Sequence, residues 1–229
     1  MRKDALSAVL AIALLTVVLG LLYPLAVTGV SQLTMPGRAD GSLVHRDGRT
    51  VGSALLAQDL RRPVANPDGS PRLDEDGEPV TVPDPRWFQP RPSVTGWSGS
   101  ATSFSNAGPN AVATRDALVS YRDAYLALER PYSPRLRAAD VPVDAATDSA
   151  SGVDPTISVA NARIQARRIA AVRRLPLDRV LVLVADHVDG RDLGVLGEPG
   201  VNVLRLNLAL DRLAPAATAT TTTTDGATR

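Results

Sequence analysis

The stretch ALSAVLAIALLTVVLGLL, residues 5–22, decides the architecture of this chain, because it contains no charged side chain and only two hydroxyl groups, those of Ser7 and Thr16. The uncharged run continues up to Arg38. At about 1.5 Å of helical rise per residue, residues 5–22 span about 27 Å, close to the thickness of the hydrocarbon core of a membrane. The sequence therefore predicts that residues 1–30 form a short N-terminal stub and one transmembrane helix.

A cleaved signal peptide is the alternative for this segment, since Arg2 and Lys3 would serve as its basic region. The apolar stretch is longer than the core of a usual signal peptide and no Ala-x-Ala cleavage site follows it, so an uncleaved anchor is favoured. Arg2 and Lys3 also favour an N-terminus in the cytoplasm, a bias that Asp4 weakens. We therefore expect a single-pass membrane protein whose main domain, residues 31–213, is extracytoplasmic.

The composition of the 229 residues excludes several classes of function. A formal net charge of +1 argues against a nucleic-acid-binding protein, which would need a broad basic surface. The chain has no cysteine, and its two histidines, His45 and His187, are too far apart in sequence for a recognisable zinc motif. Lys3 is the only lysine, so a P-loop and a Schiff-base lysine are excluded. We expect no metal site, no cofactor of the chain's own and no complete active site.

Apolar residues at helical spacing, together with capping residues, predict three helices beyond the anchor. The first covers residues 116–130, and the second covers residues 158–174 with Ser158 as its N-cap. The third begins near Pro176, a residue favoured in the first turn of a helix. Within it, the run VLVLV at residues 180–184 is also compatible with a buried strand. A helix is favoured because the helical spacing of apolar residues continues on both sides of that run.

The other segments divide into predicted strands and solvent-exposed stretches. Leucines alternate with other residues over 201–211, which predicts a half-buried strand, and residues 51–60 are typical of a short strand or edge segment. Residues 61–85 are rich in proline, glycine and acidic side chains and cannot bury a core, so they predict a solvated insertion. The threonine-rich tail, residues 214–229, is of low complexity and is expected to be disordered.

Three arginines of the second predicted helix form a candidate binding face. Arg163, Arg167 and Arg174 lie within about 40° of one another when each residue is turned by about 100° around the helix axis. Such a row usually forms a solvated face. It is also a candidate site for a partner's carboxylates or for an anion, which guanidinium groups bind bidentately.

Several segments contain specific polar residues that a hydrophobic core alone would not require. These segments occur in the same order as in a known family. The matching segments are residues 52–58, WFQPRPS at 87–93, residues 103–110, VPVD at 141–144, SGVDPTIS at 151–158, residues 160–174, and HVDGRDLGVLGEPGVNVLRLNLALD at 187–211. On these residues the chain resembles the C subunit of the Kdp potassium-transporting P-type ATPase, the KdpC family. Without that resemblance, their Asn, Gly and Asp-Pro residues are explained as turn formers.

The resemblance implies an extracytoplasmic domain of the α/β class, mixed α+β in type, preceded by a single transmembrane helix in the plasma membrane of a bacterium. It implies a subunit that is not an enzyme by itself. Its partners would be a channel-like potassium-translocating subunit, a P-type ATP-hydrolysing subunit and a very small membrane peptide. The family's subunit is described as stabilising the complex and as a catalytic chaperone that raises the pump's affinity for ATP. The complex uses ATP, magnesium and potassium.

The resemblance also assigns roles to individual residues. Gln58 resembles the family glutamine that is implicated in the effect on nucleotide. An extracytoplasmic domain would not meet cytoplasmic ATP, however, so direct contact between this chain and ATP is not expected. The other motif residues are expected to have structural or docking roles: Arg91, Pro92, Ser93, Asn106, Asp144, Gly152, Asp154, Pro155, His187, Gly197, Glu198, Pro199 and Asn202.

Two other classes of function stay open. His187 has Asp186 and Asp189 nearby, which permits a membrane-anchored extracytoplasmic hydrolase with one of the serines as nucleophile. A histidine near the C-terminal end of a helix is more simply explained by the helix dipole. The second class is a ligand-binding sensor domain, for which a small molecule would change the melting temperature of the domain.

Overall fold

The computed structural model describes residues 2–214, so the predicted disordered tail lies outside the described residues from residue 215 onward. The chain divides into two units, one ending at Leu55 and the other beginning at Leu56. Both helices and strands are present, as expected for a mixed fold.

The N-terminal unit begins with one continuous helix, Arg2–Thr34, none of whose residues is buried. It consists of α1 (Arg2–Val17), a π-helical turn (Val18–Leu22) and α2 (Tyr23–Thr34). Pro24 has no N–H for the carbonyl four residues earlier, and the local π-helical turn accommodates that loss. Among residues 2–214 this is the one helix long and apolar enough to cross a membrane, which suggests membrane anchoring as predicted.

The rest of the N-terminal unit consists of the short helix α3 (Pro36–Ala39) and a hairpin of β1 (Leu43–Arg46) and β2 (Arg49–Ser53). The turn residues of the hairpin, Asp-Gly at 47–48, have φ values of 50° and 75°, which suit a tight two-residue turn. The strand predicted over residues 51–60 is too long. The first residue of β1, Leu43, pairs with the last residue of β2, Ser53. After a hydrogen bond from the N–H of Ala54 to the carbonyl of Ser42, the chain continues as turns and irregular structure up to residue 60.

The C-terminal unit is built around α6 (Val159–Arg173), which contacts α7 (Leu177–Asp186) and α4 (Val112–Glu129). These are the three helices that the sequence predicts. The hydroxyl of Ser158 caps α6 by accepting a hydrogen bond from the N–H of Asn161 at 3.1 Å. The buried apolar core comprises Phe88, Ile157, Ala162, Ala166, Ile169, Ala170, Val180, Val184, Val201, Val203, Leu206 and Leu210.

A small antiparallel sheet contacts α6, with β7 (Gly200–Asn202) between β5 (Thr156–Ser158) and β6 (Val188–Asp189). All three residues of β7 are buried. A 3₁₀ turn (Ala138–Asp140) and the short helix α5 (Val143–Ala146) precede β5 in the chain. The chain after β7 is helical, which contradicts the strand predicted there.

The strand predicted over residues 201–211 is instead helix α8 (Val203–Leu213), which follows directly after β7. The leucines alternate over a short stretch, but Val203, Leu206 and Leu210 are also spaced for one face of a helix, and all three are buried. Asn202 decides between the two patterns. Its side chain accepts a hydrogen bond from the N–H of Arg205 at 3.1 Å and so caps a helix.

The acidic segment over residues 61–85 begins and ends with paired strands. β3 (Arg61–Pro63) and β4 (Thr81–Pro83) are antiparallel, and isolated bridges join Ala65 to Pro71 and Leu73 to Pro79. Residues 67–79 are all exposed to solvent. We call residues 61–85 the insertion; Asp84 is the one residue of it that is buried.

Candidate functional site

The densest polar contacts of the C-terminal unit surround the guanidinium group of Arg168, which is fully buried. Its Nε donates to Oε1 of Glu129 at 2.8 Å, and the side chain of Glu129 is equally buried. Its Nη2 donates to Oε1 of Gln165 at 2.9 Å, and its Nη1 donates to the carbonyl oxygens of Pro85 and Trp87. Arg168 therefore joins α4, α6 and the segment after β4 at one point.

The sequence prediction did not find Arg168, because it considered only the exposed face of this helix. Arg168 follows Gln165 by three residues and Asn161 by seven, and all three side chains are buried. Polar residues at this spacing share a face of the helix with the buried Ala162 and Ile169. That spacing is the signal in the sequence that could have identified a buried polar row.

Glu129 is held in the core by its arginine partner. Burial raises the pKa of Glu129, whereas the charge of Arg168 and its hydrogen bond oppose that rise. Oε2 of Glu129 is buried and has no hydrogen-bond partner among the described residues. A buried carboxylate without its cation costs about 3–5 kcal/mol, so the two residues depend on each other.

Amide and hydroxyl side chains extend the contacts of this pair. The side chain of Gln165 forms two hydrogen bonds with the backbone of Gln89. Its Oε1 accepts from the N–H of Gln89 at 2.7 Å, and its Nε2 donates to the carbonyl of Gln89 at 3.1 Å. Oδ1 of Asn161 accepts from Gln165 at 2.9 Å and from the hydroxyl of Tyr125 at 3.0 Å. Burial raises the pKa of Tyr125, which keeps its hydroxyl protonated as a donor.

These residues form part of the lining of a pocket with a volume of about 270 Å³. The remainder of the lining includes Pro90, Trp97 and Tyr121. The guanidinium carbon of Arg61 lies 5.0 Å from the centroid of the Trp97 ring, and Arg61 also pairs with Asp59 at 2.8 Å. A ligand-binding sensor domain would bind its small molecule in a pocket of this kind. The charged side chains that line this pocket are those of Arg61 and Glu129, and they are already paired with Asp59 and Arg168.

Arg91 and Asp154, two of the motif residues, form a half-buried ion pair with 3.1 Å between Nη1 and Oδ2. Oδ1 of Asp154 accepts from the N–H of Thr156 at 2.9 Å. The carbonyl of Pro155 accepts from the N–H of Val203 at 2.9 Å. Asp154 therefore joins the start of β5 to Arg91, and Pro155 joins it to the start of α8.

Pro92, Ser93 and Gly152 hold the loop that precedes β5. The carbonyl of Pro92 accepts from the N–H of Ser149 at 2.8 Å, and the hydroxyl of Ser93 donates to the carbonyl of Gly152 at 2.6 Å. Gly152 has a φ of 75°, and a Cβ at this position would lie 2.5 Å from the hydroxyl oxygen of Thr95. Both the backbone conformation and the lack of space require glycine here.

Asp144 and Asn202 act at the starts of helices. The carboxylate of Asp144 accepts from the N–H of Ser158 at 2.9 Å, from its hydroxyl at 2.7 Å and from Nδ2 of Asn161 at 2.9 Å. Asp144 thus holds the N-cap of α6 in place, as Asn202 itself caps α8.

His187 ends α7, and its Nδ1 lies 2.8 Å from the carbonyl oxygen of Leu183. Over the described range 2–214, no serine or threonine hydroxyl hydrogen-bonds to His187, and no group of three or more His, Asp or Glu residues could hold a metal ion. The histidine therefore has the geometry of a helix terminus and not that of a catalytic triad.

Four motif residues lie on exposed loops. Asn106 is exposed and has a φ of 54°. Gly197, Glu198 and Pro199 belong to the loop between β6 and β7, where Glu198 pairs with Arg191 at 2.8 Å. These residues do not join the buried polar contacts around α6.

The arginines of the candidate binding face are all exposed, as the helical spacing predicts for Arg163 and Arg167. Arg174 lies after the last turn of α6, in a left-handed conformation with a φ of 55°. None of the three forms an ion pair with a residue in the part of the chain that the structure describes. Arg167 lines a surface groove together with Arg135 and Asp140.

Gln58 is half-buried in the irregular segment between β2 and β3. The N–H of its neighbour Ala57 donates to the carbonyl of Val153 at 2.8 Å. This backbone hydrogen bond joins the segment that contains Gln58 to the loop of Gly152.

The fold defines a class of protein: a mixed helix-and-strand unit preceded in the chain by one helix long enough to cross a membrane. A family model described as the K⁺-transporting ATPase, c chain (KdpC), matches residues 5–212. The chain therefore belongs to the KdpC family.

Curated relatives named potassium-transporting ATPase KdpC subunit are similar along nearly the whole chain. The protein from Mycobacterium tuberculosis (strain ATCC 25618 / H37Rv) is 41% identical over 215 residues, which is 93% of this chain and 100% of the relative. That from Polaromonas naphthalenivorans is 45% identical over 204 residues, 88% of this chain and 90% of the relative. That from Streptomyces coelicolor is 42% identical over 216 residues, 89% of each.

Proposed function

We propose that this chain is the accessory subunit of an ATP-driven, high-affinity potassium uptake complex, and that it stabilises the assembly of that complex without catalysing a step itself. The observation that carries the proposal is the family match, which extends from the apolar N-terminal helix to the end of α8. Relatives named as KdpC subunits of a potassium-transporting ATPase share 41–45% of their residues with this chain.

The structure of the C-terminal unit supports a scaffold role. The buried charges of Arg168 and Glu129 pair with each other, and Arg91 pairs with Asp154. Each of these contacts fixes one segment of the unit to another. The buried pair and the motif pair therefore help to give the unit a defined shape, which is what a subunit needs when it holds larger partners together.

The proposed location follows from the N-terminal helix. We infer that Arg2–Thr34 anchors the chain in the plasma membrane of a bacterium, with Arg2 and Lys3 on the cytoplasmic side. The C-terminal unit then lies outside the cytoplasm. Within the complex, the proposed partners are a channel-like potassium-translocating subunit, a P-type ATP-hydrolysing subunit, a very small membrane peptide and the lipid bilayer.

The proposed effect on nucleotide is indirect. As a catalytic chaperone, the chain would raise the ATP affinity of the ATP-hydrolysing subunit by keeping the subunits in a competent arrangement. ATP, magnesium and potassium are then ligands of the complex and not of this chain. A tenfold change in affinity requires only about 1.4 kcal/mol of coupling, which differential contacts between subunits can supply.

The test is to purify the complex in mild detergent with and without this chain and to measure its potassium-stimulated ATPase activity. Without the chain, we expect the complex to dissociate or its KM for ATP to rise at least about fivefold. Adding the full-length chain should restore both properties. The Gln58→Ala variant should alter the KM only in proportion to the amount that co-purifies, and Arg72→Ala, in the exposed insertion, serves as the control. An unchanged complex in the absence of the chain would refute the proposal.

A further inference from the structure

The loop between β6 and β7 exposes three aliphatic side chains at its end, which we call the apolar tip: Leu193, Val195 and Leu196. Their exposed fractions are 90%, 72% and 58%. A single exposed leucine is ordinary, but three aliphatic residues within four positions of one loop form a patch. No residue among 2–214 covers these side chains, so within the described part of the chain the patch is accessible to another molecule.

The backbone of this loop is fixed in a conformation that presents the tip. The N–H groups of Asp192 and Leu196 each donate to the other's carbonyl at 2.9 Å. At the base of the loop, Nη2 of Arg191 lies 2.8 Å from Oε1 of Glu198. Leu193 has a φ of 52°, an unfavourable value for a residue with a side chain. A loop already held in its presenting conformation loses little freedom when a partner binds.

The charges around the tip indicate what kind of surface it fits. Residues 189–199 carry three carboxylates, those of Asp189, Asp192 and Glu198, and one guanidinium, that of Arg191, which pairs with Glu198. A net negative rim is repelled by an anionic lipid surface, which attracts basic segments instead. The same rim is complementary to a protein pocket that is apolar inside and basic at its edge.

We propose that the apolar tip docks into an apolar pocket with a basic rim on another subunit of the same ATPase complex. The inference rests on the proposed function, because that function provides the partner. The docking would be carried by insertion of Leu193, with Val195 and Leu196 excluding water around it, and the acidic rim would set the orientation.

The chain has no cysteine, so a single introduced cysteine reports on one position. We would prepare Leu193→Cys and the control Leu73→Cys, a leucine 53% exposed in the insertion. Each full-length variant would be reconstituted in vesicles containing anionic phospholipid, alone and within the complex. The rate of labelling by a water-soluble maleimide would then be measured on this chain, separated from the other subunits by electrophoresis.

We expect Leu193→Cys to react at least about tenfold more slowly in the complex than alone, and Leu73→Cys to react equally in both. Failure of Leu193→Cys to enter the complex, when Leu73→Cys enters it, would also support docking. Equal labelling of Leu193→Cys in the complex and alone would overturn the proposal, and protection in vesicles without the partners would replace it with binding to lipid. If neither variant nor the unmodified chain joins the complex, the proposed function itself fails.

Discussion

Helix α6 and the insertion are both rich in polar side chains, but α6 buries several of them whereas the insertion exposes nearly all of its own. α6 buries Asn161, Gln165 and Arg168, whereas residues 67–79 of the insertion are all exposed. The difference lies in the partners available to each segment. The polar groups of α6 meet Glu129 and backbone carbonyls of other segments, while the side-chain hydrogen bonds of residues 67–79 stay within the insertion.

This comparison shows that polarity alone does not place a segment on the surface. A buried polar group is tolerated when its hydrogen bonds are satisfied, and it is then costly to remove because its partners are left unpaired. An exposed polar group exchanges its contacts with water at little cost. From that asymmetry we expect large losses of stability for changes at buried polar contacts and small losses for changes at exposed positions.

The largest effect is expected for Arg168→Met. It leaves the carboxylate of Glu129 buried without its cation, and we expect the free energy of unfolding to fall by about 3–5 kcal/mol. Urea unfolding of the full chain in detergent, followed by tryptophan fluorescence, measures this, because both tryptophans, Trp87 and Trp97, lie in the C-terminal unit. The control is Arg167→Met, one residue away and exposed, with an expected change below about 0.5 kcal/mol.

The double variant Arg168→Met with Glu129→Leu sharpens this prediction. Removing both charges eliminates the unpaired carboxylate, so we expect much of the lost stability to return. Equal loss of stability for Arg168→Met and Arg167→Met would contradict the assignment of Arg168 as the central buried contact.

The next effect in size is expected for Gly152→Ala. The left-handed backbone disfavours alanine and the added Cβ would clash with Thr95, so we expect a loss of about 2–3 kcal/mol, part of it from the φ of this residue. Gly69→Ala in the insertion has a φ of 85° but no atom within 4 Å of its Cβ. For Gly69→Ala we therefore expect only the cost of the left-handed backbone, a loss of about 1–2 kcal/mol in the free energy of unfolding. The same unfolding measurement compares them, and equal losses would show that the contact with Thr95 is unimportant.

A smaller, pH-dependent effect is expected for Asp84→Asn, at the buried end of the insertion. Burial raises the pKa of Asp84, but the hydrogen bonds and charge of Arg86 outweigh it and lower the pKa overall. The carboxylate therefore stabilises the fold above its unfolded pKa of about 3.9, and this contribution is lost as the pH falls through the lower folded value. We expect a loss of about 1 kcal/mol at pH 7 that shrinks below about pH 4. Asp76→Asn, at an exposed position, is the control and should cost less than about 0.5 kcal/mol. A loss for Asp84→Asn that grows on acidification would reverse the sign and refute the account.

The smallest effect is expected for deletion of residues 68–78 from the insertion. These residues are exposed, so their removal should change the free energy of unfolding by less than about 1 kcal/mol. Circular dichroism and the fluorescence midpoint check this. A large drop in stability would mean that the insertion packs against the unit, which would remove the contrast with α6.

The sequence predicts three helices of the C-terminal unit, α4, α6 and α7, each of which at least partly buries apolar residues at helical spacing. α8 was predicted as a strand, because alternating leucines over a short range satisfy both periods. Its N-cap, Asn202, was the deciding signal. The same rule that identified Ser158 as a cap would therefore have corrected the error.

The buried contacts could not be predicted from spacing alone. Glu129 lies 39 residues before Arg168, and Pro85 lies 83 residues before it, so only the folded chain brings them together. The motif residues Arg91, Ser93, Gly152 and Asp154 were recognised by resemblance, but their hydrogen-bond partners were not. Sequence patterns report which faces are buried, whereas the pairing of polar groups depends on tertiary contacts.

The central claim is that this chain serves the complex without binding nucleotide itself. Calorimetry of ATP with the full-length chain in detergent at physiological salt, and with its Gln58→Ala variant, tests that claim most directly. We predict no binding tighter than about 1 mM, equivalent to about −4 kcal/mol, and any weaker signal should come from exposed arginines and fade with added salt. Micromolar binding that disappears in Gln58→Ala would contradict the claim and establish direct contact with ATP.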